Sequence, residues 1–130
     1  MDHIDQNLGI HPVCWEILGR LSRLEFAGTK SKFNRVTFDT RPDAAIPGRI
    51  CIRVEIVNGP KRYMSVSFGK AKGKHCEILE FHVNGWNGKE SFALPVSEVL
   101  ISMPGAAIRK IQVMIEDFIA STIVESVMEV

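Results

Sequence analysis

The side chains with the most chemistry cluster between positions 51 and 86. Lys70, Lys72 and Lys74 stand in the glycine-bounded run Gly69-Lys70-Ala71-Lys72-Gly73-Lys74, with Lys61, Arg62 and Tyr63 a few residues upstream. Flexible lysines suit phosphate oxygens, and aromatic rings such as Tyr63 and Trp86 offer faces on which bases stack. Together with Arg53 they define a candidate nucleic-acid surface of Arg53, Lys61, Arg62, Tyr63, Lys70, Lys72 and Lys74. Lysines at a hairpin tip also have a plainer use, since they discourage strand edges from pairing with other chains. The run lacks the glycine spacing and the closing Lys-Ser/Thr of a P-loop.

His75, Cys76 and His82 are the densest group of metal-ligating types, and Cys76, Glu80 and His82 would share one strand face. Alternate strand residues lie about 6.6 Å apart, which can bracket an ion. Zinc asks for three or four ligands, commonly in close pairs, and His3, His11 and Cys14 are too distant in sequence to complete such a set. No metal and no cofactor is expected. A nucleophile needs a base and an orienting acid beside it, and no Gly-x-Ser-x-Gly elbow occurs. Glu77 and Glu80 fall on opposite strand faces, which disfavours paired-carboxylate chemistry. The expectation is a protein that is not an enzyme.

These residues are carried by a chain of 130 residues, enough for one domain with a core, so residues 1–130 are read as a single domain. Sixteen basic residues against fifteen acidic ones leave the global charge uninformative. The distribution is uneven. Residues 30–74 hold eleven basic and three acidic side chains, and residues 75–130 hold three basic and eight acidic. Such halves can attract each other within or between chains, or form two different binding surfaces. Three cysteines do not make a disulfide scaffold. The first residues show no basic start followed by an apolar run, and the most apolar stretch, 111–124, contains Glu116 and Asp117. A cytoplasmic protein without a membrane span is expected.

Periodicity places the elements. Pro12 suits the first position of a helix, and Val13, Ile17, Leu21 and Leu24 recur at helical spacing up to a stop at Ala27-Gly28. Trp15 and Phe26 fall on a second side of that helix. Ile50, Ile52, Val54 and Ile56 alternate with Cys51, Arg53 and Glu55, the pattern of a strand with one apolar face. Met64, Val66 and Phe68, then Leu79, Phe81 and Val83, repeat it, with turn chemistry at 58–61 and 84–88. Residues 33–39 predict an upstream strand, 41–48 a loop, 90–94 a short strand, and 95–103 a short helix or turn. Pro104 opens a long final helix whose main stripe is Ile108, Ile111, Ile115, Phe118, Ile119 and Thr122.

The fold class is therefore α+β: an N-terminal helix, a four- to five-stranded antiparallel meander, and a long C-terminal helix packed on one sheet face. The other face would carry Arg35, Thr37, Cys51, Arg53, Glu55, Tyr63, Ser65, Ser67, Glu80 and His82. In size and element order alone the chain resembles small dimeric bacterial adaptors, secretion chaperones and immunity proteins, a likeness that implies an architecture and no activity.

The final helix has a second apolar stripe, Val113, Ala120, Val124 and Val127, widened by Ile123 and Met128. A helix that is apolar on two sides needs two partners. With Trp15 and Phe26, this predicts an interface of Trp15, Phe26, Val113, Ala120, Ile123, Val124 and Val127. It also predicts a non-enzymatic, homodimeric protein-binding or adaptor module. Two alternatives stand beside it: a nucleic-acid-binding module using the basic 30–74 block, and an α+β cone whose sheet and helices enclose a small molecule.

Overall fold

The computed structural model describes residues 9–29, 35–73 and 77–128, with the backbone alone over 122–128. Helix α1 spans Pro12–Leu21, strands β1 to β5 span Val36–Pro42, Arg49–Ile56, Arg62–Lys70, Ile78–Trp86 and Ser91–Leu100, and helix α2 spans Pro104–Met128. The strands form one five-stranded sheet in the order β1-β2-β3-β4-β5, every neighbouring pair antiparallel. The expected architecture is thus present, with five strands.

Local sequence explains the ends of α1. The His11 ring Nδ1 accepts the Val13 N–H at 3.1 Å, and Pro12 occupies the first turn, where its missing N–H has no cost. The helix stops at Leu21, earlier than the expected stop at Ala27-Gly28, because Ser22 closes it: the Ser22 hydroxyl donates to the Gly19 carbonyl at 2.6 Å. Leu24 and Phe26 therefore belong to the segment that leaves the helix, and Phe26 does not lie on a second helical face.

The alternating residues resolve as two faces. Ile50, Ile52, Val54, Ile56, Met64, Val66, Phe68, Leu79, Phe81 and Val83 are buried against Val13, Cys14, Ile17 and Leu21 of α1 and Ile108, Ile111, Ile115, Phe118 and Ile119 of α2. Phe68 stacks on Phe81 across β3 and β4, and Phe92 stacks on Phe118 between β5 and α2. The Phe92 ring lies against Gly85, where a Cβ would meet it at 2.8 Å and would also strike the Tyr63 carbonyl oxygen. Both helices sit on this face.

Three further sequence expectations are corrected. Residues 84–86, expected in a turn, are the last residues of β4, paired on both sides within the sheet. Residues 95–103 do not form a helix or turn throughout, since β5 runs on to Leu100. Phe81 pairs with Ser97 and Val83 with Leu94, so Pro95 and Val96 together oppose His82 in a bulge. An edge strand at a bulge can accept a proline that a central strand would reject. Arg41 and Pro42, expected in a loop, are the last residues of β1, paired with Cys51 and Ile50. Proline is tolerated there for the same reason: β1 is the other edge. Residues 33 and 34 of the expected first strand lie outside the described residues.

Candidate functional site

The open face of the sheet presents residues from four strands in register. Asp39, Arg53, Ser65 and Asn84 form one cross-strand row, and Arg41, Cys51, Ser67 and His82 form the next. This is the polar platform expected from alternation, but one corner of it is covered. The 43–48 loop, closed at its neck where the Asp43 N–H donates to the Arg49 carbonyl at 2.8 Å, folds back over the sheet, where Asp43 meets Ser67 and Ala44 and Ala45 lie beside Cys51, Arg53 and Ser65.

Under that loop lies a connected set of polar side chains. Arg49, only 6% exposed, donates through Nε to the Ser67 hydroxyl at 3.3 Å and through Nη2 to the Glu80 carbonyl at 3.2 Å. The same nitrogen lies 3.5 Å from the Glu80 carboxylate. Ser67 donates to Asp43 Oδ2 at 2.6 Å, and Asp43 Oδ1 accepts the N–H groups of Ala45 and Ile46. Glu80 Oε1 and His82 Nε2 are 2.7 Å apart. Burial alone would raise the Asp43 carboxyl. The Ser67 hydroxyl, the two backbone N–H groups and the Arg49 charge outweigh it, and its pKa falls below the usual value. Gly69 admits this arrangement, because a Cβ there would sit 3.0 Å from Arg49 Cγ and strike the Gly48 carbonyl oxygen.

Sequence reasoning did not single out Arg49 or Asp43. The partners of Arg49 lie 18 and 31 positions away, so no local motif announces them. A concavity of about 340 Å³ opens beside the cluster, lined by Arg41, Pro42, Asp43, Ala44, Ala45, Cys51, Arg53 and Ser65. The cysteine in it is not primed as a nucleophile: burial pushes the Cys51 thiol up, with the Asp43 charge adding to the effect. Cys14, in the core, is pushed by burial to about 11.

The nucleic-acid candidates are dispersed. Arg53 lies over the Tyr63 ring, 3.9 Å from its centre, and Lys61 is 5.7 Å from the same centre. Trp86 is the cross-strand neighbour of Tyr63. Arg62 points to the other face and is buried there, donating to the carbonyls of Pro60 and Asn58 at 3.2 and 3.0 Å. Lys70 and Lys72 stand at the opposite end of β3, and seven strand residues span about 23 Å. Lys74 lies outside the described residues. Several of the basic groups face an acid: Arg41 meets Asp39, Arg53 meets Glu55 at 3.7 Å, and Lys70 meets Glu77 at 3.7 Å.

The interface candidates fare differently. Val113 is 43% exposed and Trp15 37%. Ala120 is exposed as well. Phe26 is half-buried, its ring stacked on Phe38 with centres 5.3 Å apart. The side chains of Ile123, Val124 and Val127 lie outside those described. Among the described residues, no group of three His, Cys, Asp or Glu side chains is placed to hold a metal ion, and His75 and Cys76 fall outside them. No helix among the described residues is long and apolar enough to cross a membrane. Comparison with protein-family models, curated proteins and solved structures finds no match for this chain.

Proposed function

We propose that this chain is a non-enzymatic protein-binding module that works as a symmetric homodimer, with the outward side of α2 as its contact surface. The supporting observation is the exposure of Val113. It stands two residues from both Ile111 and Ile115, which at about 100° per residue puts it on the opposite side of the helix. Ile111 and Ile115 are already spent on the core, at 0% and 1% exposure, whereas Val113 is 43% exposed. The sequence continues that outward stripe through Ala120, Val124 and Val127. A two-fold axis beside α2 would pack the stripe against its own copy, the self-complementary contact that most homodimers use. Trp15 adds a large partly exposed ring on the neighbouring helix.

Light scattering coupled to gel filtration tests this. The full chain at tens of micromolar is expected to elute with the mass of two chains. Val113→Glu is expected to elute as one chain with an unchanged far-ultraviolet spectrum. A wild-type chain that stays monomeric at that concentration overturns the proposal.

A further inference from the structure

A second site lies on the helix side of the sheet, away from the outward side of α2. α1 ends at Leu21, and residues 22–29 bridge from α2 to the edge strand β1 as an irregular segment that leaves a gap beneath it. The gap is a cavity of about 320 Å³ lined by Leu18, Leu21, Ser22, Leu24, Phe26, Phe38, Thr40, Ile52 and Ile115. Leu21, Ile52 and Ile115 are core residues and make a rigid floor.

The roof is held in place. Glu116 of α2 accepts the Ala27 N–H at 2.9 Å, and the Thr29 hydroxyl donates to the Phe26 carbonyl at 2.9 Å. These bonds fix the segment that presents the Phe26 ring, stacked on Phe38. The cavity is thus formed in advance of any ligand, and little ordering is left for binding to supply.

The lining specifies the occupant. Among the described residues its lining carries no charged side chain, so nothing there offsets the partial desolvation of an ion, and a neutral ligand is favoured. Of its two hydroxyls, that of Ser22 is committed to the Gly19 carbonyl, and that of Thr40, an exposed residue of the edge strand, takes no side-chain partner among the described residues and is open to a ligand. Ligand pockets are typically about 300 Å³ or larger, mostly apolar, with a few polar groups that set orientation. An apolar cavity of about 150 Å³ is enough to hold benzene. We infer that this cavity is a binding site for a small neutral aromatic of about two fused rings, carrying one hydrogen-bonding group that meets the Thr40 hydroxyl.

Indole is the probe, titrated into the full chain labelled with ¹⁵N and followed by amide shifts. Saturable shifts confined to the amides of the lining residues are expected. Thr40→Val keeps the shape and removes the hydroxyl, and should weaken binding about three- to tenfold. Leu24→Trp fills the cavity and should abolish the shifts while the far-ultraviolet spectrum is kept. Shifts that never saturate, shifts spread over the surface, or unchanged affinity in both variants overturn the inference. The oligomeric state plays no part in this readout, so failure here is distinct from failure of the dimer proposal.

Discussion

Replacing Glu80 by glutamine should destabilise the protein more than replacing its partner Arg49 by methionine. The asymmetry follows from burial. Arg49 is 6% exposed and the Glu80 side chain 26%. Glu80→Gln leaves a guanidinium in the interior with the Ser67 hydroxyl and the backbone carbonyl of residue 80 as its hydrogen-bond partners, at 3.3 and 3.2 Å, and the Asp43 carboxylate as a charge still acting on it. Breaking a fully buried pair costs about 3–5 kcal/mol by stranding the other charge. Here two neutral acceptors and the Asp43 charge remain and water reaches the acid, so about 2 kcal/mol is expected. Arg49→Met removes the buried charge and its desolvation cost together. It leaves Glu80 with His82 at 2.7 Å and Asp43 with the Ser67 hydroxyl and two backbone N–H groups, and should cost about 1 kcal/mol. The double variant should be more stable than Glu80→Gln alone, because the stranded charge is gone. Urea unfolding at neutral pH reads all three, and 2 kcal/mol corresponds to a midpoint shift of about 1 M. If Arg49→Met costs as much as Glu80→Gln, or if both midpoints stay at the wild-type value, the buried-charge reasoning is refuted.

The Asp43 pKa is lower in the fold than in the unfolded chain, so its contribution is full above its unfolded value and is lost as pH falls through the lower folded value. Urea midpoints measured between pH 6 and pH 2 should therefore decline for the wild type from about pH 4 downward, and less steeply for Asp43→Asn. An equal decline in both contradicts the assignment. Gly85→Ala should cost about 2–3 kcal/mol, because the added methyl meets the Tyr63 carbonyl oxygen and the Phe92 ring inside a packed layer. A thermal melt indistinguishable from wild type would show that the layer gives way.

How much of this was legible in the residues differs from element to element. Four β-branched residues at Ile50, Ile52, Val54 and Ile56, alternating with polar ones, admit one orientation relative to a core. The two following strands repeat the pattern across short turns, so sheet order and helix side followed without coordinates. Pro95 concealed the length of β5, since a proline signals a break unless the strand is known to be an edge with a bulge opposite. Arg62 was legible and misread: it shares the even numbering of Met64, Val66 and Phe68, which puts it on the inward face. Arg49 shares its face with Cys51 and Arg53 and was passed over because that face was expected to be open to solvent. The 43–48 loop closes over it, and no period in the chain reports where a loop will lie.

Alternation and helical spacing are properties of neighbouring residues, and they decided which side of each element is apolar. That alone determined the antiparallel meander, the two helices on one face, and the surplus apolar stripe of α2. The folded chain decided everything that depends on distant residues meeting. It joined Asp43 to Ser67 and Arg49 to Glu80, and ended α1 early enough to leave a cavity against β1. The physical reason is range. A strand's faces are set by the tetrahedral geometry at each Cα, whereas a buried charge or a cavity exists only after segments many residues apart have been brought together and water has been excluded between them.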